Sequence, residues 1–220
     1  MMHKDIKRSR LLVISDIHGH TQGLELLLRE ADYRPGEDRL ILLGDYIDSD
    51  PRTVSALNII KNLVDSGARA LPGNQETTLM REPEAYAASA EVLEWLRRLP
   101  GYIEEDSYLF VHAGIRPGVP MDKQSVTDLT EIREEFWQAA ATVPNRTVIF
   151  GHTPTYRLGA AKGGLWFGSN RIGIDTGAKH GCRLTLFDIY GELTYSCSTA
   201  ASDLYGDFKI ERVVLAKAAD

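Results

Sequence analysis

Short apolar runs alternate with helix-like patterns in the first third of the chain. Three segments dominated by apolar residues, at 11–15, 39–43 and 68–71, predict buried β-strands. Between them, leucine, isoleucine and valine recur every three or four positions at 22–30 and 53–66, which predicts amphipathic helices. This β-α-β-α-β order is typical of a sheet with parallel strands.

The remainder of the chain combines further helices with a different strand pattern. We predict helices at 84–99 and 128–140, and strands at 108–111 and 147–150. After residue 171, apolar and polar residues alternate through four segments, which is typical of antiparallel strands. The pattern as a whole therefore predicts a mixed α/β fold.

Size and charge narrow the functional classes. A chain of 220 residues and 24.5 kDa suits one domain over residues 1–220, since no repeat or linker interrupts it. The net charge of −6 argues against a general attraction to nucleic acid or to an anionic membrane. We therefore expect neither as a partner, although a small basic site for phosphate is compatible with this charge.

The two cysteines and the N-terminal segment indicate a reducing compartment. Cys182 and Cys197 are too few for a disulfide framework and form no CxxC motif, so we expect free thiols. The apolar run that begins at Leu11 is too short for the core of a signal peptide, and no stretch is long enough for a membrane span. We expect a cytoplasmic protein.

Polar side chains follow the predicted strands where each strand ends. Because ligands of α/β sheets bind outside the carboxyl ends of the strands, these turns are expected to meet at one rim. Three of the six histidines fall at such ends. The candidate ligands are Asp16, His18, Asp45, Asn74, His112 and His152.

This donor set favours a pair of metal ions. Two carboxylates, one amide oxygen and three imidazoles exceed a single tetrahedral site and suit two metals that share a carboxylate. Nitrogen and oxygen donors without thiolate fit Mn²⁺, Fe or Zn²⁺ better than Ca²⁺. Two metals about 3.5–4 Å apart are typical of phosphoester hydrolysis. Each motif alone has an ordinary structural alternative; Asn74 and Glu76, for example, could simply begin a helix.

Five motifs together carry a family resemblance. The segments DIH (16–18), GDYID (44–48), GNQE (73–76), HAG (112–114) and GHT (151–153) occur in this order. The set resembles the calcineurin-like metallophosphoesterase superfamily, specifically its phosphoprotein phosphatase branch of the bacterial serine/threonine type. A later segment, RIGIDTGAKHGCRLT, also resembles symmetrical diadenosine tetraphosphatases.

The resemblance implies a fold and a division of roles. The fold is a mixed β-sandwich flanked by helices, with two divalent metal ions, Mn²⁺ being the first candidate. One metal is held by Asp16, His18 and Asp45, and the other by Asp45, Asn74, His112 and His152. The remaining catalytic positions are Asp48, Gln75 and Arg133, the last of which is expected to grip the substrate phosphate through its guanidinium fork.

The sequence departs from the family pattern at two positions. Gln75 stands where the family has a histidine that protonates the leaving oxygen, and Ser49 stands where it has an arginine. Because an amide cannot act as an acid, His20 and His180 are the candidates to replace this histidine as the general acid. Arg52 is the candidate to replace the missing arginine.

The resulting prediction is a metal-dependent phosphatase. We expect it to hydrolyse phosphomonoesters, in the manner of serine/threonine phosphatases, by attack of a hydroxide that bridges the two metals. The alternatives are a hydrolase of nucleotide phosphoanhydrides, such as a diadenosine tetraphosphatase, and a weakly active metal-binding regulatory protein. Loss of a general acid costs about 10²–10⁴-fold, so substrates whose leaving groups need little protonation should suffer least.

Overall fold

The computed structural model describes residues 9–140 and 143–215, in which strands and helices alternate. The strands are β1 (Leu11–Ile14), β2 (Arg39–Leu42), β3 (Arg69–Ala70), β4 (Tyr102–Glu105), β5 (Tyr108–Val111), β6 (Thr147–Phe150), β7 (Trp166–Gly168), β8 (Arg171–Gly173), β9 (Arg183–Asp188), β10 (Leu193–Ser198) and β11 (Lys209–Arg212). The helices are α1 (Thr21–Glu30), α2 (Ala56–Asp65), α3 (Asn74–Arg81), α4 (Ala90–Arg98), α5 (Val126–Glu131) and α6 (Glu134–Trp137).

The strands form two mixed sheets. The first has the order β11-β10-β9-β1-β2-β3, in which β1, β2 and β3 are parallel, as the sequence pattern predicts. The second has the order β4-β5-β6-β8-β7, in which β5, β6 and β8 are parallel. The expectation of antiparallel strands after residue 171 is confirmed for β9, β10 and β11, whereas β8 is antiparallel to β7 but parallel to β6.

Alternate residues of the strands divide the core into layers. In β1, Leu11 and Val13 belong to a cluster that also contains Phe110 and Ile149 of the second sheet. Leu12 and Ile14 belong instead to a cluster with residues of α1 and α2. Since successive side chains of a strand point to opposite faces, the first sheet is buried on both sides. The outer face of the second sheet packs against α5 and α6. The predicted sandwich flanked by helices is confirmed.

The helix predicted at 84–99 is interrupted. A short 3₁₀ turn at Pro83–Tyr86 ends at Ala87, whose φ of 49° lies in the left-handed region, and α4 begins only afterwards. Ser89 caps α4, because its side chain accepts a hydrogen bond from the N–H of Val92. The prediction therefore holds for α4 only, because Pro83 begins a separate turn and Ala87, which was expected to face inward, is exposed.

The helix predicted at 128–140 is likewise split, and the break matters for the site. Ser125 and Asp128 form a capping box that starts α5 earlier than expected. Ile132 and Arg133 leave the helical conformation, and α6 begins after them. Arg133 therefore lies in a bend between two helices rather than on a helix face.

The longest helices in the described ranges have 10 residues. None of them meets the length and apolar character that spanning a lipid bilayer requires.

Candidate metal centre

The loops that follow β1, β2, β5 and β6 meet at one edge of the sandwich. The N–H of Asp16 donates to the carbonyl of Gly44, and the N–H of His18 donates to the carbonyl of Asp45, which joins the first two loops. The N–H of His152 donates to Asp16 Oδ2 at 2.9 Å and joins the fourth loop to the first. The two sheets thus contribute to one cluster of polar groups.

Two overlapping groups of side chains offer metal-ligand atoms within 4.8 Å of one another. One consists of Asp16, His18 and Asp45, and the other of Asp45, His112 and His152. Asp45 is common to both, as a carboxylate that bridges two ions would be. The fourth predicted ligand of the second group is also near, because Asn74 Oδ1 lies 3.2 Å from His112 Nε2.

The histidines are oriented by main-chain carbonyls. His112 Nδ1 lies 2.8 Å from the carbonyl of Leu43, and His18 Nδ1 lies 3.1 Å from that of Ile47. These contacts suit a protonated Nδ1, which leaves Nε2 unprotonated and able to bind a metal ion. His18 Nε2 then lies 3.7 Å from Asp45 Oδ2, and His112 Nε2 lies 3.5 Å from Asp45 Oδ1. Each oxygen of Asp45 faces one histidine.

His152 supplies an independent test of whether a metal fits. Its Nε2 is buried and has no hydrogen-bond partner among the described residues. Burial, with the charges of His112 and Arg133, lowers the pKa of His152 to about 3. A buried, neutral imidazole nitrogen without a hydrogen-bond partner suits a metal ligand, so the residues present fit a metal ion.

The buried carboxylates of Asp16 and Asp45 favour cations at the centre of the cluster. Burial raises the pKa of Asp45, and the nearby charge of Asp16 contributes in the same direction. Burial would also raise the pKa of Asp16, but the nearby His18, whose Nε2 lies 3.8 Å from Asp16 Oδ1, and the charge of His112 hold that pKa well below the usual range. The pKa of His18 is lowered by burial, yet the two aspartates raise it to about 9. The cluster thus favours positive charge at its centre.

Glu76 holds two of the ligand loops together. Its buried carboxylate accepts hydrogen bonds from the N–H groups of Gly73, Asp45, Tyr46 and Ile47, at 2.8 to 3.3 Å. Burial and the charge of Asp45 raise the pKa of Glu76 to about 7, while the backbone donors oppose this shift. The sequence indicated only the helix-capping role. The bond to the loop after β2 required the tertiary structure.

Two glycines permit the loops to approach this closely. A Cβ on Gly73 would overlap Asp45 Oδ1 and would lie 2.8 Å from His112 Cε1. A Cβ on Gly151 would overlap Ser15 Oγ and Asp16 Oδ2. Side chains larger than hydrogen therefore cannot stand at these positions without moving the candidate ligands.

The predicted catalytic positions lie around this cluster, each with a hydrogen-bond or ion-pair partner of its own. Arg133 donates from Nη1 to Thr153 Oγ1 at 3.2 Å, which places its guanidinium beside His152. Gln75 is half-buried, and its N–H donates to Asp45 Oδ1 at 2.9 Å. Asp48 forms an ion pair with Lys179, 2.6 Å from Asp48 Oδ1 to Lys179 Nζ.

The suggested substitutes for the missing acid and arginine have other partners. His20 Nδ1 lies 3.1 Å from the hydroxyl of Tyr205, and His180 makes an edge-on ring contact with Tyr156. Arg52 is bound by Asp50, and 89% of its side chain is exposed. In the described part of the chain, no hydrogen bond, ion pair or ring contact joins any of these three side chains to the candidate ligands.

Comparison with known proteins agrees with this geometry. Residues 9–188 match the calcineurin-like phosphoesterase family. Symmetrical bis(5'-nucleosyl)-tetraphosphatase from Dechloromonas aromatica (strain RCB) is 32% identical over 120 residues, which cover 47% of this chain and 43% of that protein. The chain thus aligns with about half the length of this relative.

Solved structures show the same fold. A candidate diadenosine tetraphosphatase is 25% identical, with a TM-score of 0.72 over 89% of this chain and 96% of that one. A cold-active protein-tyrosine phosphatase from a psychrophilic Shewanella species is 15% identical, with a TM-score of 0.61 over 94% of this chain and 80% of that one, and shows the fold alone.

These findings confirm the superfamily, but not the serine/threonine branch of the prediction. The curated relatives from Dechloromonas aromatica and Enterobacter sp. are named symmetrical tetraphosphatases, and the similar solved structure is described as a candidate diadenosine tetraphosphatase. The ordered motifs, the two-sheet sandwich and the convergence of two potential metal-ligand groups on Asp45 agree with the family match. The chain belongs to the calcineurin-like phosphoesterase family.

Proposed function

We propose that the protein is a hydrolase that cleaves a phosphoanhydride bond of a nucleotide, with a dinucleoside polyphosphate as the substrate class. The observation that carries this proposal is the pairing of a complete metal-ligand cluster with Gln75 at the position of the general acid. The names of the curated relatives support the same substrate class.

The metal-binding residues have the roles that their geometry suits. We assign Asp16 and His18 to one divalent ion, His112, His152 and Asn74 to the other, and Asp45 to both. When bound, such ions supply charge neutralisation and activate water for attack on phosphorus. Mn²⁺ remains the first candidate, since the donors are nitrogen and oxygen only.

The side chains around the cluster bind and orient the substrate. Arg133 can present two N–H donors to the oxygens of one phosphoryl group, and its hydrogen bond to Thr153 holds the guanidinium in place. Gln75 can donate a hydrogen bond to substrate through its amide, but it has no proton to give to a leaving group. The chemistry therefore favours a leaving group that departs as a stable anion.

This requirement separates anhydrides from alkyl esters. A nucleoside phosphate leaves with its charge spread over several oxygens, whereas the alkoxide of serine needs a proton as the bond breaks. A general acid contributes about 10²–10⁴-fold, and this factor is lost selectively from alkyl esters.

The test compares three substrates with protein that has been stripped with a chelator and reloaded with Mn²⁺. We expect nucleotide products from diadenosine tetraphosphate, slower release of phosphate from p-nitrophenyl phosphate, and the slowest release from a phosphoserine peptide. The substitution Gln75→His should raise turnover of the phosphoserine peptide by about 10²-fold or more and change the anhydride rate far less. Gln138→His, at an exposed glutamine, is the matched control.

A phosphomonoesterase is the second candidate, favoured by Arg133, which suits a single terminal phosphoryl group. Faster hydrolysis of the phosphoserine peptide than of diadenosine tetraphosphate by the unmodified protein would select it over the first. No product from any of the three substrates, with metal bound, would contradict both and leave a metal-binding regulatory protein.

A further inference from the structure

The loop between β8 and β9 places Lys179 against Asp48, in the loop that follows β2 and carries the candidate ligand Asp45. Lys179 lies in a short 3₁₀ turn whose backbone is set by Gly177 and Gly181, both in the left-handed region. The hydroxyl of Thr199 donates to the carbonyl of Ala178 at 2.8 Å and anchors the turn. The position of Lys179 is therefore determined by the fold and not only by its own side chain.

The ammonium group of Lys179 is held by Asp48. Lys179 Nζ lies 2.6 Å from Asp48 Oδ1, and the two side chains are 35% and 25% exposed. Asp48 is itself fixed, since its N–H donates to Thr53 Oγ1 at 2.9 Å and its carboxylate accepts from the N–H of Ser49. An ammonium has three N–H donors, so one bond to Asp48 leaves others for a ligand that arrives from solvent.

Lys179 and Arg133 lie beside different halves of the cluster. Asp48, which holds Lys179, directly follows Ile47, whose carbonyl lies 3.1 Å from Nδ1 of His18, a candidate ligand of the first metal group. Arg133 donates from Nη1 to Oγ1 of Thr153, which directly follows His152, a candidate ligand of the second group. The two cations are therefore tied to loops that carry ligands of different metal groups.

Arg52 is poorly placed to supply the same charge. Its guanidinium is bound to Asp50 and is almost fully exposed, although it lies close to Asp48 in the sequence. Lys179, distant in the sequence, is the cation that the fold brings to Asp48.

From this arrangement we propose that Lys179, oriented by Asp48, binds a second phosphoryl group of the substrate and makes the site selective for phosphate chains over single phosphate esters. The proposal rests on the proposed function, because a single phosphoryl group held by the metals and Arg133 would not need a cation on the other side. Asp48 is then a positioning residue, which acts through Lys179.

Binding of two small anions tests this selectivity without turnover. The probes are methylenediphosphonate, which has two phosphoryl groups and a bond that resists hydrolysis, and orthophosphate, which has one. Affinities are measured by calorimetry on the Mn²⁺-loaded protein. Lys179→Gln should weaken binding of methylenediphosphonate about tenfold or more and change binding of orthophosphate less than about twofold. Lys179→Arg, which keeps the charge, should retain most of the affinity.

Lys61 offers a matched control. Its Nζ lies 2.9 Å from Asp65 Oδ2, and 31% of its side chain is exposed, so it resembles Lys179 in partner and exposure but lies on α2. Lys61→Gln should leave both affinities unchanged. Equal losses for both anions in Lys179→Gln, or unchanged binding of methylenediphosphonate, would overturn the proposal.

Kinetics separate failure of this inference from failure of the proposed function. With diadenosine tetraphosphate, Lys179→Gln should raise KM about tenfold with a smaller change in kcat, whereas p-nitrophenyl phosphate hydrolysis should change by less than about twofold. If the unmodified protein cleaves the tetraphosphate and the variant has the same KM, the role of Lys179 is wrong and the function stands. If the unmodified protein cleaves no anhydride, the function is wrong, and the ratio of the two anion affinities still decides the role of Lys179.

Discussion

Four of the candidate metal ligands have a backbone conformation that costs free energy. The φ angles of Asp16, His18, Asp45 and His152 are 53°, 46°, 53° and 63°, all in the left-handed region. Each such residue costs on the order of 1–3 kcal/mol and persists only where its surroundings enforce it. The hydrogen bonds between the loops, with the carboxylate of Glu76, supply that enforcement. The ligands are therefore held in place before any metal binds.

Close contact between loops makes the centre sensitive to one methyl group. We expect Gly73→Ala to lower the free energy of unfolding by about 1–3 kcal/mol and to abolish stoichiometric metal binding, because the Cβ would overlap Asp45. Urea unfolding and metal analysis of the reloaded protein measure the two effects. Gly164→Ala is the control, since its Cβ would lie 3.4 Å from the nearest heavy atom. Full metal content in Gly73→Ala would show that the loops can separate without loss of the site.

The bend between α5 and α6 and the start of α3 both lie at the candidate site. The bend at Arg133 separates α5 from α6 and places the guanidinium beside Thr153. Glu76 similarly belongs to α3 but also binds the loop after β2. At the scale of elements, these junctions connect the helices to the chemistry.

An ion pair lies where β1 and β2 begin, and it should make the free energy of unfolding depend on pH. Arg10 Nε donates to Asp38 Oδ1 at 2.9 Å, and the Asp38 side chain is only 8% exposed. Burial would raise the pKa of Asp38, but hydrogen bonds from Arg10 and from the N–H of Arg34 lower it. The unfolded pKa is about 3.9, so the pair stabilises the native state above about pH 4, and this contribution is lost as pH falls through the lower folded pKa.

We therefore expect Asp38→Asn to be less stable than the unmodified protein by about 1–2 kcal/mol near neutral pH, with a difference that shrinks below about pH 4. Urea unfolding at a series of pH values measures it. Asp65→Asn, which removes an exposed pair on α2, should change stability far less. A difference that stays constant down to pH 3 would contradict the assignment.

At the scale of the molecule, the candidate metal centre takes its residues from loops of both sheets. Asp16 and Asp45 follow strands of the first sheet, whereas His112 and His152 follow strands of the second. An ion bound by residues from both sheets stabilises the folded state alone, because unfolding separates its ligands.

Removal of metal should therefore destabilise the whole fold. A free metal concentration of 100 times Kd raises the free energy of unfolding by about 2.7 kcal/mol for each site, and a chelator should reverse this. Asp45→Asn should lose the stabilisation from both sites, because Asp45 belongs to both groups. Asp122→Asn, at an exposed aspartate, is the control. An unchanged metal response in Asp45→Asn would place the ions elsewhere.

Local sequence was enough to predict the strands at the centre and the residues that follow them. Apolar runs predicted the parallel strands of the first sheet, and the polar turns after the strands predicted side chains that the structure brings together in two groups of potential metal ligands. The sequence pattern did not predict the breaks at Ala87 and Arg133, or the short strands β4 and β7. These features have weak local signals, since they depend on contacts with distant parts of the chain.

The sequence by itself determined which central strands are buried, the order of the motifs, and that the candidate metal-ligand atoms are oxygen and nitrogen. These features follow from local patterns, because the spacing of apolar residues and the polar turn after a strand involve only residues that are neighbours in the chain. The tertiary structure alone decided which oxygen of Asp45 faces which histidine, and that Asp48 pairs with Lys179, 131 residues away. Such pairings arise only when the two sheets close on each other, since proximity in space between distant residues leaves no periodic signal in the chain.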